Sequence, residues 1–489
     1  MNTYKFKFIL VLVLGLVLPF TSCKDYLDVN VNPNQSATSR IDLQLTGAII
    51  GTSIGIGQRI FPELGVWCQY QTGGPGVALS DWDQHKLSAS ECDELFRELY
   101  RSSSNLNYII NKSTELNYIA IAKILRANNF HICADVFGDV PYTEALSGDI
   151  EDGSILHPRF ESAKDVVYPA IESELLEAID LISRGAAFVH PGADDLIYHG
   201  DMELWDKYAH SLLLKVYLRQ GAAGQAKLAA LYTSDDQFIL TNDEAAKVPF
   251  PGGSAGSNPF WNTAKSSALG NYYIATTTIM DHLSATQDPR LDAFFDPTPA
   301  GVHAALHPGD IQSQPLTAQF SSPAGAKSPT GGLLFAPTAP VFFMSAWESN
   351  LLLAEAAARG WITADADALY ADAVHENFEY AGLDATAADD YLAAGGAIDA
   401  SNKIKSIAIQ KWICMNGTQP IESWIETRRL DSPATPIFAS PGGLFKSPTS
   451  NALGAGIYPS ILPYSENEQS LNQNFPGQNA LTDKVFWDN

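Results

Sequence analysis

The chain has 489 residues, long enough for one large core or two modest ones, and sets 30 basic residues against 55 acidic ones. The net charge of −25 is spread along the sequence. That excludes a phosphate-backbone binder, whose affinity rests on Lys and Arg, and suits an exported soluble body.

At the N-terminus, Lys5 and Lys7 precede an apolar run from Phe8 to Phe20, then Thr21-Ser22-Cys23. A basic start, a short apolar run and small residues describe a secretory signal over 1–22. The run is too short for a spanning helix, and no later stretch is apolar and long enough either. Cys23 after small residues reads as a lipobox cysteine, lipidated as the first mature residue, although Phe20 stands where Leu is usual. The other cysteines, Cys68, Cys92, Cys133 and Cys414, show no metal-ligand spacing. They are expected as buried thiols rather than bridges.

Residues 23–40 read as a tether, with an Asn32-Pro33 turn and little periodicity. A helix is predicted from about Asp42 to Trp67, then a loop from Gln71 to Ser90 carrying Asp81-Trp82-Asp83, then a helix from Glu91 to Asn111. From Tyr118 the apolar residues Ile121, Leu125, Ile132 and Val136 form one broad helical stripe. Gly138 is placed to cap it and Pro141 to end it, so this helix is read as the spine of the fold. Further helices are predicted at Asp165–Ser183, with Pro169 as a kink, and from Asp201, the expected N-cap, to Arg219. Between about Thr233 and Ser345 the sequence becomes loop-rich, with one good helix near Tyr273–Leu283. Helical pattern returns at Ser345–Gly360, Ala364–Ala381, Ser401–Met415 and Ile421–Leu430, before an irregular tail. The predicted fold is all-α dominated, one domain over 41–489. Its helical core takes 41–232 and 345–430, its loop-rich binding region 233–344 and its tail 431–489.

Several of these segments carry more specific wording. Leu125-Arg126-Ala127 running into Phe137-Gly138-Asp139-Val140-Pro141-Tyr142 resembles the SusD/RagB family of nutrient-binding outer-membrane lipoproteins. So do, in order, Asn30–Pro33, Trp205 to Arg219, Asp288–Leu291, Leu353–Ala356, Ile409–Trp412, Trp424 with Arg428-Arg429, and Tyr458-Pro459. The resemblance spans almost the whole mature chain. It implies tetratricopeptide-like helix pairs with a loop-rich insertion, a cell-surface outer-membrane location and a TonB-dependent, SusC-like transporter as partner. The motifs themselves read as scaffold, so Trp205, Trp412 and Arg429 are expected in the core.

Catalytic constellations find little support. Gly252–Gly256 fits G-x-S-x-G, but prolines flank it where a nucleophile elbow needs a strand and a helix. His303 and His307 lie four apart in a Pro/Gly-rich loop, without the helix that would bring them together. No carboxylate pair, metal set or cofactor motif stands out, so none is expected. Sugar binding asks for an aromatic face beside amide or carboxylate partners. Loop-borne candidates are Trp82 with Asp81 and Asp83, Trp261 with Asn262, and Tyr272 with Asn271. The acids beside Trp82 predict an exposed indole, since unpaired buried carboxylates are costly. The reading is a non-catalytic surface lipoprotein that passes an oligosaccharide to its transporter. The alternatives are a peptide-binding lid of the same transporter type and a secreted glycan-active enzyme.

Overall fold

The computed structural model describes residues 39–489 except 59, 75–79, 149–154, 254–255, 267–271, 311–318, 327, 329–330 and 489. The signal, Cys23, most of the tether, Ser254 and Asn271 therefore lie outside the described residues. The unit Ile41–Asn489 is mostly helical, with four small two-stranded sheets.

Its first half is a run of helices packed on their sequence neighbours: α1 (Ile41–Gly57), α2 (Ile60–Trp67), α3 (Asp93–Lys112), α4 (Leu116–Phe137), α5 (Tyr168–Arg184), α6 (Met202–Arg219) and α7 (Ala222–Leu231). α1 lies on α3, α3 on α4, α4 on α5, α5 on α6 and α6 on α7. The helix expected from Asp42 to Trp67 is interrupted between Gly57 and Ile60. Pro62 supplies the reason: it cannot donate to the carbonyl four residues back, and its ring crowds that position. α5 begins at Tyr168 after a wider turn over Ala163–Val167, so Pro169 opens a helix rather than kinking one. Asp201 caps α6 as expected, its Oδ1 accepting from the amides of Glu203 and Leu204 at 3.1 and 3.3 Å.

α4 is the buried spine, with 17 of its residues inside the core. It ends at Gly138, whose φ of +79° a side-chain-bearing residue would resist, and whose amide returns to Ala134.

The loop-rich middle contains α8 (Pro259–Ser266), α9 (Thr277–Ala285) and α10 (Arg290–Phe294). α8 was not expected. Asn258-Pro259 reads as a breaker, yet Asn258 is an N-cap accepting from the amides of Phe260 and Trp261, and proline suits the first helical position. The remaining helices are α11 (Ala346–Ala358), α12 (Ala366–Tyr380), α13 (Ala385–Leu392), α14 (Lys403–Cys414), α15 (Pro420–Arg429) and the short α16 (Glu466–Leu471). α11 packs on α12 and α14, and α15 returns to α2, tying the two helical regions together.

Buried ion pairs fasten these helices. Arg219 of α6 pairs with Asp135 of α4 and Glu422 of α15. Arg429 bridges Glu355 of α11, at 2.8 Å through Nη1, and Glu426 of its own helix at 2.7 Å. Lys411 of α14 reaches Glu426 at 2.7 Å. Arg290 grips Asp288 through two nitrogens, at 3.0 and 2.6 Å, with its guanidinium 4.8 Å from the Phe378 ring. Burial would raise the Glu355 carboxyl, but the Arg429 and Lys411 charges outweigh it and hold the group at about 2. The family-like wording thus encodes scaffold: Trp205, Trp412 and Arg429 are all buried. Cys68, Cys92, Cys133 and Cys414 are buried free thiols.

Candidate functional site

A short antiparallel pairing assembles the loop face. β1 (Gln71–Gly73) pairs with β2 (Tyr273–Ala275), Thr72 opposite Ile274, bringing together loops nearly two hundred residues apart in sequence. The third loop arrives through Leu306, whose amide donates to Ala275 and whose carbonyl accepts from Thr277 at 2.7 Å. The fourth, from the C-terminal tail, docks through Ala452 on the Gln84 carbonyl and Thr449 on the Pro308 carbonyl. Gln69 anchors it from below, its side chain exchanging bonds with both backbone groups of Lys446.

Asp83 is the knot of this arrangement. Its Oδ1 accepts from the Thr72 hydroxyl at 2.8 Å and the Gly73 amide at 3.1 Å, and its Oδ2 from the Ser80 and Tyr272 hydroxyls at 2.9 Å each. A Cβ on Gly73 would stand 2.8 Å from the Tyr272 oxygen, so glycine is what lets the strand approach this closely. The carboxylate is buried and fully engaged. Burial and the adjacent Asp83 charge both push the Tyr272 phenol above its usual range.

The expectation of an exposed Trp82 is corrected. Its indole is 3 % exposed, its ring 4.7 Å from that of Trp67, which in turn lies 5.2 Å from Trp424. Trp67 Nε1 donates to the Trp82 carbonyl at 3.1 Å. Flanking acids argue for exposure only while they lack partners, and Asp83 has four donors. The turn therefore points Trp82 inward, where it cannot stack on a ligand, while Asp81 stays half-buried at the surface. Asp83 and the Tyr272 hydroxyl likewise serve the loop, leaving only ring surface on Tyr272 for a ligand.

Trp261 and Asn262 sit differently. Trp261 is half-buried in the first turn of α8, with its ring 5.5 Å from Phe335, and Asn262 is exposed. The Asn262 amide nitrogen donates to the Ser257 carbonyl at 3.1 Å, which fixes the side chain and turns its oxygen to use as an acceptor. Gln58, just past α1, donates to Thr263 at 2.9 Å and pins the same turn. A partly open indole beside a fixed amide can take the apolar face and a hydroxyl of a sugar ring.

One further polar residue here, His85, was not singled out in the sequence, whereas His303 and His307 were. His85 holds a φ of +52° and packs 5.8 Å from the Tyr458 ring; burial pulls its imidazole down to about 4. His303 contacts Asp292 at 2.7 Å, while His307 turns to the Pro308 carbonyl, so the two do not converge. Among the described residues no group of three or more His, Cys, Asp or Glu could hold a metal. A positive-φ histidine leaves no periodic signal in a sequence, and only the tail loop's docking reveals its role.

The family model described as SusD-like, "Starch-binding associating with outer membrane", matches residues 65–443. No curated protein matches the chain. Among solved structures, a chitin-binding protein superposes with a TM-score of 0.76 at 22% identity, covering 92% of this chain and 100% of the other. A chitin-binding SusD homolog from Flavobacterium johnsoniae gives 0.73 at 19%, covering 91% and 98%. A SusD/RagB family protein from Bacteroides thetaiotaomicron gives 0.75 at 20%, covering 92% and 99%. At these identities the three share the fold.

Proposed function

We propose, from the premise that the chain belongs to the SusD-like family, that it captures an oligosaccharide and delivers it to a TonB-dependent outer-membrane transporter. The family is one of non-catalytic binding proteins associated with the outer membrane, and its description names starch. Two similarly folded proteins bind chitin, which supports a glycan as the ligand class here. The observation that carries the reading is the half-buried Trp261 beside the exposed, oriented Asn262 in the first turn of α8, where Phe260 packs toward Tyr273 of the β1–β2 pairing. Tyr272 supplies ring surface to the same face. Lipidation at Cys23 would tether this body to the membrane, with the loop face turned to the medium.

Calorimetric titration of the mature protein with starch- and chitin-derived oligosaccharides tests the ligand. Binding should be saturable, release no cleaved product, and weaken at least about tenfold in Trp261→Ala, since burial of the ring is lost with its stacking. Unchanged affinity in that variant would remove Trp261 from the site. The partner is tested by mild solubilisation of outer membranes, which should recover the protein with a large β-barrel. Recovery only as a free monomer across several detergents counts against the transporter.

A further inference from the structure

Away from the loop face, the helical half contains an open cleft of about 1070 Å³. Its main wall is the last two turns of α3, through Asn105, Asn107, Tyr108 and Asn111. Asn105, Tyr108 and Asn111 lie three apart, and with Asn107 they share one broad face, while Leu95, Leu99, Leu106 and Ile109 bury the other. Asparagine is a poor residue for a helix interior, because its amide competes for the backbone. Three of them within two turns is a local cost; Asn107 is accounted for by its bond from Arg126, but Asn105 and Asn111 are not, and such violations concentrate where a surface is used.

The floor of the cleft is rigid and neutral. Arg126 of α4 grips Glu174 of α5 through Nε at 3.1 Å and Nη2 at 2.8 Å. Its Nη1 donates to the Asn107 oxygen at 2.6 Å, which leaves the Asn107 amide hydrogens facing outward as donors. The Tyr142 hydroxyl donates to Glu174 at 2.6 Å, fixing a phenol ring at the edge. The carboxamides of Asn105 and Asn111 line the cleft with no hydrogen-bond partner among the described residues.

The cleft is remote from the loop face. Gln44, near the start of α1, lines it, whereas Gln58, beyond the end of α1, bonds to Thr263 beside Trp261. Fourteen residues of helix separate the two by about 21 Å.

We propose that this cleft is a second binding site, taking a neutral, hydroxyl-rich glycan chain. The inference rests on the reading that the protein binds glycan, and adds a place for it. Unpaired carboxamides offer both donors and acceptors, as sugar hydroxyls do, and the Tyr108 and Tyr142 rings offer flat faces. The Arg126–Glu174 pairing cancels charge on the floor, and the one further charge in the lining, Lys112, lies exposed at the end of α3, so the carboxamides and rings dominate the surface a ligand meets. An extended peptide is instead read through a sheet edge and side-chain pockets. The wall here is a helix whose backbone is already bonded to itself.

The test is hydrogen exchange read by mass spectrometry on the mature protein, with chitin- and starch-derived oligosaccharides and, separately, a mixture of neutral peptides. The variants are Trp261→Ala and the double substitution Asn105→Ala with Asn111→Ala. Alanine improves helix propensity, so the double variant should fold and melt no lower than the parent. Oligosaccharide should slow exchange across 104–112 as well as on the loop face. The double variant should lose the first effect and keep the second, with cleft binding weakened at least about tenfold. Trp261→Ala should do the reverse. Slowed exchange on the loop face alone overturns the cleft proposal and leaves the glycan function standing. Protection by peptides but not by sugars at 104–112 also overturns it. No effect of any oligosaccharide anywhere removes the glycan reading, and the cleft proposal with it.

Discussion

Trp82 offers the sharpest test of how the loop face is built. Truncating it to alanine removes an indole that is 3 % exposed and stacked at 4.7 Å on Trp67. Replacing a buried Trp with Ala costs about 3–5 kcal/mol, from lost transfer energy and the cavity left behind. Unfolding entropy near the melting point is roughly 2.1 cal/mol/K per residue, or about 0.9 kcal/mol/K for the body from Ile41 to Asn489. The melting temperature should therefore fall by about 3–5 °C. Trp82→Phe should cost less, since it keeps most of the apolar burial and removes an Nε1–H that has no acceptor among the described residues. Differential scanning calorimetry of both variants, beside oligosaccharide titrations of each, reads the two effects separately. An unchanged melting temperature in Trp82→Ala, with affinity lost, would refute the buried assignment and return Trp82 to the ligand site.

Glu355→Gln should destabilise the protein by about 3–5 kcal/mol, because Arg429 and Lys411 stay buried with one carboxylate fewer; calorimetry showing a loss under about 1 kcal/mol would contradict this. In the parent, His85 and Glu355 are among the groups that set the acid limb of stability, beside His131 and Glu426, which are also held below their ordinary ranges. His85 has a folded value near 4 against an ordinary 6.5, so its contribution, on the order of 3 kcal/mol, is present above pH 6.5 and lost as pH falls toward 4. Glu355, at about 2 against 4.5, adds stability present above 4.5 and lost toward pH 2. His85→Asn should flatten the melting curve between pH 6.5 and 4, and an unaltered slope would mean His85 is not its source. Cys23→Ala should leave the protein in the soluble fraction, and an unmodified Cys23 in the native protein, seen by mass spectrometry, would end the lipoprotein reading.

The spine helix was readable because its apolar stripe, Gly138 and Pro141 all mark the same boundary, so local and tertiary signals agree. Where two rules compete, the sequence misleads. Asn258-Pro259 signals either a break or a cap, and only the Phe260 and Trp261 amides bonded to Asn258 decide for a cap. The acids beside Trp82 predict exposure unless donors arrive from elsewhere. Three of the four donor residues to Asp83 are near neighbours in the chain, Thr72, Gly73 and Ser80, but Tyr272 comes from nearly two hundred residues away. That convergence depends on the β1–β2 pairing, three residues long on each strand, which leaves almost no periodic trace. The amides of α3 were hidden for a different reason: a search for apolar stripes finds the face of a helix that packs and passes over the one that does not.

The buried ion pairs also bear on when the chain can finish folding. Asp135 accepts from Trp487, at 2.7 Å, and pairs with Arg219, which in turn holds Glu422. Its native surroundings are thus completed by a residue 352 positions further along the chain. Until that segment docks, a carboxylate at the centre of the spine lacks part of the solvation that offsets its burial. A polypeptide built this way stays loosely organised at its centre until the segment around Trp487 is in place, and locks only then. Replacing Trp487 would accordingly unsettle the middle of the molecule rather than its edge.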